Sequence, residues 1–131
     1  MADEFRYTSL GSDRIDEIRP LWEALREHHA AMDWPFAAEM GGVLFAGRKQ
    51  ELLHKARGGH FRIEIAAAQP DPNPIAYCLS TVTKDDCGEI DSVFVTPERQ
   101  RQGIGTELVR RALKWLDQSG AASKRVVVAE G

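Results

Sequence analysis

Residues 98–116, ERQRQGIGTELVRRALKWL, constrain this chain more than any other stretch. Their first part is a basic loop with two glycines, Gly103 and Gly105, and their second part is apolar at helical spacing. On a helical wheel Ile104, Leu108, Val109, Ala112, Trp115 and Leu116 fall within about 140°. Glu107, Arg110, Lys114 and Asp117 occupy the other side. A stripe that wide must be covered by a sheet or another helix. Residues 89–95 before the loop carry the alternation of a strand, ended by Thr96-Pro97. The unit to be explained is therefore strand, glycine loop, helix.

The rest of the chain supplies the sheet and its other cover. Residues 4–10 read as a first strand. Ser12 or Asp13 is placed to cap a helix in which Ile15, Ile18, Trp22, Leu25 and His29 recur, with a kink or break expected at Pro20. A second helix is expected over 48–57, stopped at Gly58-Gly59. Phe61, Ile63 and Ile65 then alternate with Arg62 and Glu64, the pattern of a strand with one buried face. The loop QPDPNP (69–74) leads to a strand over 75–83, and a turn at 84–88 leads to the strand over 89–95. Three strands joined this closely form an antiparallel meander. After the glycine loop and its helix, residues 125–129 read as a buried strand pairing in parallel. The expected fold class is α/β, a mixed, mostly antiparallel sheet flanked by helices in the order β-α-α-β-β-β-α-β. A chain of 131 residues without repeats or linkers is expected to be one domain.

Charge and composition exclude several classes. The net charge of −3 argues against a general nucleic-acid binder. Its distribution is uneven: residues 1–97 hold ten basic and sixteen acidic side chains, whereas 98–131 hold seven and four. A small anion is best received in the C-terminal third, although a solvated helix face also carries such charges. No apolar run approaches the roughly 18 residues of a membrane helix, and MADEFRYTSL does not read as a signal peptide. The expected location is cytoplasmic, with Cys78 and Cys87 reduced. His28 and His29 point about 100° apart on a helix and do not readily share a metal, so no metal site is expected. Met32, Trp34, Phe36 and Met40 are apolar, and for each singly the core is the favoured place.

Gln100, Arg101, Gln102, Gly103, Ile104, Gly105 and Thr106 admit two readings. A helix's first turn has amides without internal partners, and with the macrodipole they form an anion site that glycines let a ligand approach. Arg101 and Arg99 would add charge-assisted bonds to a phosphate. Alternatively the glycines serve only a tight strand-to-helix turn. Two nucleotide motifs fail on their letters. A Walker A loop needs Gly-Lys-Ser/Thr, but Gly105 is followed by Thr106-Glu107. A dinucleotide fingerprint needs a third glycine where Leu108 stands.

The segment Gln100-x-x-Gly103-x-Gly105, after Ile90-Asp-Ser-Val-Phe-Val95 and before Thr106-Glu-Leu-Val, resembles the signature of the GNAT superfamily of acetyl-CoA-dependent N-acetyltransferases. The element order read above is similar to that family's along essentially the whole chain. The resemblance implies that acetyl-CoA is the cosubstrate and that the amides of residues 101–106 hold its pyrophosphate. It implies that the backbone of Val93, Phe94 and Val95 pairs with the pantetheine arm as a short added strand. It also implies direct attack on the thioester by a primary amine of a small molecule or peptide, which needs a base. Glu89 and Asp91 are the candidates; alternating with Ile90 and Ser92, they are expected to share a face with Val93 and Val95. Their bland reading is a pair of carboxylates at the solvent end of a strand. Together with the acidic balance they lean towards a cationic acceptor such as a polyamine, an aminoglycoside or lysine.

The resemblance also implies a further helix and two strands, the helix carrying a tyrosine that protonates the departing thiolate. The sequence ends at Glu130-Gly131, and Tyr7 and Tyr77 do not match that tyrosine in order. Three expectations follow: a C-terminally incomplete domain, which is favoured, a sheet completed by a second subunit, or a non-catalytic acyl-CoA-binding module. In the first two an open sheet edge predicts a homo-oligomer.

Overall fold

The computed structural model describes residues 4–30 and 45–126, with the backbone alone at 28–30. The alternating segments pair into one five-stranded sheet in chain order. Strands β1 (Phe5–Leu10), β2 (His60–Ala68), β3 (Pro74–Val82) and β4 (Cys87–Val95) are antiparallel neighbours. Strand β5 (Ser123–Val126) joins β4 in parallel, as a crossover through a helix requires. The described helices are α1 (Arg19–Ala30), α2 (Phe45–Lys55) and α3 (Ile104–Gln118).

The sheet is covered on both faces. On one, Trp22 of α1 and Phe45 and Leu52 of α2 bury Ile63, Tyr77, Leu79 and Phe94. On the other, Ile104, Leu108, Ala112 and Leu116 of α3 bury Ala66, Ala76, Cys78, Val82 and Ile90. The apolar stripe read from residues 104–116 thus lies on the sheet. No described helix is long and apolar enough to cross a membrane. Both cysteines are free, and burial pushes the Cys78 thiol up to about 12, which makes it a poor nucleophile.

Five expectations change. The helix expected after Ser12 begins instead as a 3-10 segment, Ser12–Ile18, capped by the Gly11 backbone with no side-chain cap bond. Pro20 then falls in the first turn of α1, where its missing N–H costs no helical bond. The helix expected over 48–57 runs Phe45–Lys55. Glu64 is buried, 4% exposed, rather than facing solvent, because α3 covers that face of β2. It receives hydrogen bonds from Ser9, Arg62 and Arg111. The strand expected to be buried over 125–129 begins at Ser123, and its described residues, Ser123–Val126, are all exposed, since β5 has one described neighbour. Residues 127–129 lie outside the described residues, as do Met32, Trp34, Phe36 and Met40 and the side chains of His28 and His29.

The fifth change is in β4. Leu79 stands opposite Ser92 but Ser80 stands opposite Ile90, so Asp91 is an extra residue, a β-bulge. The bulge reverses the alternation beyond it. Ile90, Val93 and Val95 all pack towards α3, whereas Asp91 meets Lys55 of α2 and Phe94 joins the α1 and α2 side. Glu89 and Asp91 therefore do not share a face with Val93 and Val95.

One close approach fixes the entry to β2. A Cβ on Gly59 would stand 1.9 Å from the Val82 carbonyl oxygen. Gly59→Ala is expected to cost about 2–4 kcal/mol, read as a lower urea midpoint. Gly47→Ala, where a Cβ meets nothing within 4 Å, should instead stabilise α2 by roughly 0.5–1 kcal/mol.

Candidate active site

The site is built where β4 hands the chain to α3. After β4, a 3-10 turn over Pro97–Arg99 reverses the chain. The Gln100 side chain then donates from Nε2 to the Val95 carbonyl at 3.1 Å, tying the loop to the end of the strand. Arg101 and Gly103 both take left-handed backbone, at φ +67° and +83°. Gly103 suits this at no steric cost, and Arg101 adopts it at some. Gly103 then caps α3 with no side-chain cap bond.

The consequence is a run of free donors. The first backbone bond of the helix is from Glu107 N–H to the Gly103 carbonyl, 3.0 Å. Among the described residues the amides of 101–106 make no backbone–backbone bond, and helix geometry gives the first turn no internal partners. Arg101, Gln102, Gly103 and Thr106 are exposed around this mouth, and a Cβ on Gly103 would meet nothing within 4 Å. Ile104 is only 1% exposed, so its side chain pins the start of α3 into the core while its amide belongs to the mouth. A Cβ on Gly105 would touch Val95 Cγ2 at 3.6 Å, so the loop lies against the end of β4. The sequence placed all these residues together, and the structure brings them together.

Along β4, Phe94 is buried at 6% exposure, in the core cluster that includes Tyr77 and Leu79. β3 pairs one edge of Val93, Phe94 and Val95. On the other edge β5 reaches only from Cys87 to Ile90, and no described strand pairs with residues 92–95 there.

Glu89 and Asp91 form a second cluster. The Asp91 side chain is 1% exposed, and Thr81 Oγ1 donates to its Oδ2 at 2.7 Å. Lys55 Nζ donates to Asp91 Oδ1 and lies 3.2 Å from Glu89 Oε2. Burial pushes the Asp91 carboxyl above its ordinary range; the bonds from Lys55 and Thr81 oppose this, and the Glu89 charge adds to it. Asp91 is thus a buried carboxylate rather than one at the solvent end of a strand. Lys55 and Thr81 were not legible as parts of this cluster, because neither sits in a motif. Tyr77 is fully buried with its hydroxyl 2.6 Å from Ser92 Oγ, and Tyr7 lies under the Arg111 guanidinium at 4.2 Å. Among the described residues no group of three or more His, Cys, Asp or Glu is placed to hold a metal ion.

Comparison with known proteins agrees with this layout. Residues 18–130 match the profile of the acetyltransferase (GNAT) family. No curated protein matches the chain. Among solved structures, a GCN5-related N-acetyltransferase from Ralstonia eutropha JMP134 is similar at TM-score 0.70 and 20% identity, over 97% of this chain and 85% of that one. An aminoglycoside acetyltransferase from an uncultured soil metagenomic sample, in complex with sisomicin, is similar at 0.64 and 17%, over 96% and 78%. The aminoglycoside N-acetyltransferase AAC(6')-Iy, in complex with CoA, is similar at 0.62 and 16%, over 98% and 80%. At these identities the likeness is one of fold.

Proposed function

The chain belongs to the acetyltransferase (GNAT) family, and on that premise we propose that it moves the acetyl group of acetyl-CoA to a primary amine of a small molecule or peptide. The observation that carries the reading is the open amide mouth at Gly103, set against the edge of Val93, Phe94 and Val95 that no described strand pairs. A run of unpartnered donors with clear space in front of it suits a diphosphate.

The residues then divide the work. The amides of residues 101–106 grip the pyrophosphate, with Arg101 adding charge and the Gln100 side chain holding the loop to Val95. The backbone of residues 93–95 orients the pantetheine arm as a short added strand. When bound, acetyl-CoA supplies the thioester that the acceptor nitrogen attacks, a C–N bond forming as the C–S bond breaks and the second proton shed by the nitrogen leaving on CoA as the thiol. Asp91, with Glu89 beside it, takes the proton that the acceptor ammonium must lose first. Its raised carboxyl brings it closer to the working range of a base. The two carboxylates suit a cationic acceptor. A single domain over residues 1–131, a cytoplasmic location and self-association belong to the same proposal, the last supported by the exposed β5.

Thiol release from acetyl-CoA, measured against spermidine, sisomicin and a lysine-bearing peptide, tests the reading. Acceptor-dependent thiol is expected with at least one. Saturable acetyl-CoA binding without any would replace the enzyme by a binding module. Asp91→Asn is expected to lower kcat by about 100-fold or more. The sign of the pH dependence follows from Asp91. The base form grows as pH rises through a carboxyl titrating above the ordinary 3.8, so kcat/KM should climb across that limb, and Asp91→Asn should flatten it.

A further inference from the structure

We propose that Lys55, the last residue of α2, is a positioning residue for the base, its ammonium tying Glu89 to Asp91 and holding the Asp91 carboxylate charged and aimed. This rests on the reading of Asp91 as the base. The geometry begins with the bulge, beyond which Val93 and Val95 face α3 while Asp91 keeps the face that α2 covers. At 1% side-chain exposure Asp91 cannot depend on water to carry its charge, and an unpaired buried carboxylate would instead take up a proton.

Two donors meet that need, one on each oxygen. Thr81 reaches Oδ2 from β3, and Lys55 reaches Oδ1 from α2. Between them they fix the plane of the carboxylate, but only Lys55 brings charge. Its side chain stays 31% exposed, so the ammonium spans from solvent to a dry carboxylate with Glu89 as its second anchor. Placement at a helix C-terminus, just before the turn at Gly58 (φ +80°), favours a cation there. The other groups around Asp91 do not replace it. Glu89 on the same strand repels its charge, and Cys78 on β3 is a neutral thiol. On β5, Arg125 stands opposite Glu89 in register and is exposed. Without Lys55, burial and Glu89 both drive Asp91 to its protonated form, and a protonated carboxyl accepts no proton.

The test follows the Asp91 side-chain carboxyl carbon by NMR through a pH titration of the full chain, in Lys55→Met, Lys55→Gln and Lys55→Arg. In Met and Gln the Asp91 midpoint is expected to move upward, and the acid limb of kcat/KM to move with it. Turnover below that limb should fall about tenfold or more. Arg keeps the charge and should return the midpoint most of the way to the parent. An unmoved midpoint in whichever neutral variant folds overturns the role of Lys55, even if Asp91 proves essential. Full turnover in Asp91→Asn would remove the base instead, and the carboxyl titration would still judge Lys55 separately.

Discussion

Replacing Gly103 by phenylalanine is expected to weaken acetyl-CoA binding by at least about 100-fold, roughly 2.7 kcal/mol, while the chain still folds. Two local facts separate the effects. The left-handed backbone at φ +83° makes any side chain cost about 1–2 kcal/mol. That strain falls on stability, and it is bearable because a Cβ there meets nothing within 4 Å. The ring then projects into the space in front of the amides of residues 104–106, where a diphosphate must come within hydrogen-bond distance. Charge-assisted bonds contribute roughly 1.5–3 kcal/mol each, so losing one or two accounts for the whole loss. Gly103→Ala should give a smaller loss of affinity for the same strain. Gly105→Ala should be milder still, since its Cβ would make an ordinary 3.6 Å contact with Val95. Calorimetry with acetyl-CoA orders the three variants; unchanged affinity in Gly103→Phe would falsify the placement of the cofactor at this mouth.

What could be read without coordinates divides by the range of the interaction. The β4, loop and α3 unit was legible because its signals are local: glycine spacing, a loop between an alternating strand and a wide apolar stripe, and a helix start whose amides are free by geometry. The antiparallel meander was legible from short connections. The bulge at Asp91 was not, because it exists only in the register against Leu79 and Ser80. Unbroken alternation therefore put Glu89 and Asp91 on the wrong face. Lys55 sits 36 residues from Asp91 at the end of an ordinary helix, and nothing nearby marks it as a partner. Glu64 misled in the same way. An acidic residue in an alternating strand reads as solvent-facing until Arg111, 47 residues later, is seen to lie over it. In β5 the apolar letters at 126–128 suggested burial, but exposure depends on how many neighbours a strand has, which composition does not encode.

Glu64→Ala is expected to be among the most destabilising single changes on the side of the sheet facing α3, at about 3 kcal/mol, or a melting temperature lower by roughly 10 °C. Glu64 Oε2 accepts from Ser9 Oγ at 2.9 Å and from Arg62, and Oε1 accepts from Arg111 at 3.4 Å. Its carboxylate thus joins β1, β2 and α3 at one point. Removing it strips the nearest anion from Arg62, whose side chain is 20% exposed. Arg111 keeps a second partner in Glu107, at 2.7 Å, and the Tyr7 ring, which holds the cost below that of a fully orphaned pair. Glu107 is more exposed. Arg110 first, then Arg111, hold its carboxyl down at about 2, and its removal should cost little, because solvent screens such surface pairs. The wild-type ranking is therefore Glu64 well above Glu107 in urea unfolding. A buried charge is costly to orphan but not indispensable, so Glu64→Leu combined with Arg62→Leu should cost less than Glu64→Ala alone. If Glu64→Ala unfolds at the parent's urea midpoint, the carboxylate is not the joint described, and packing alone would hold α3 to the sheet.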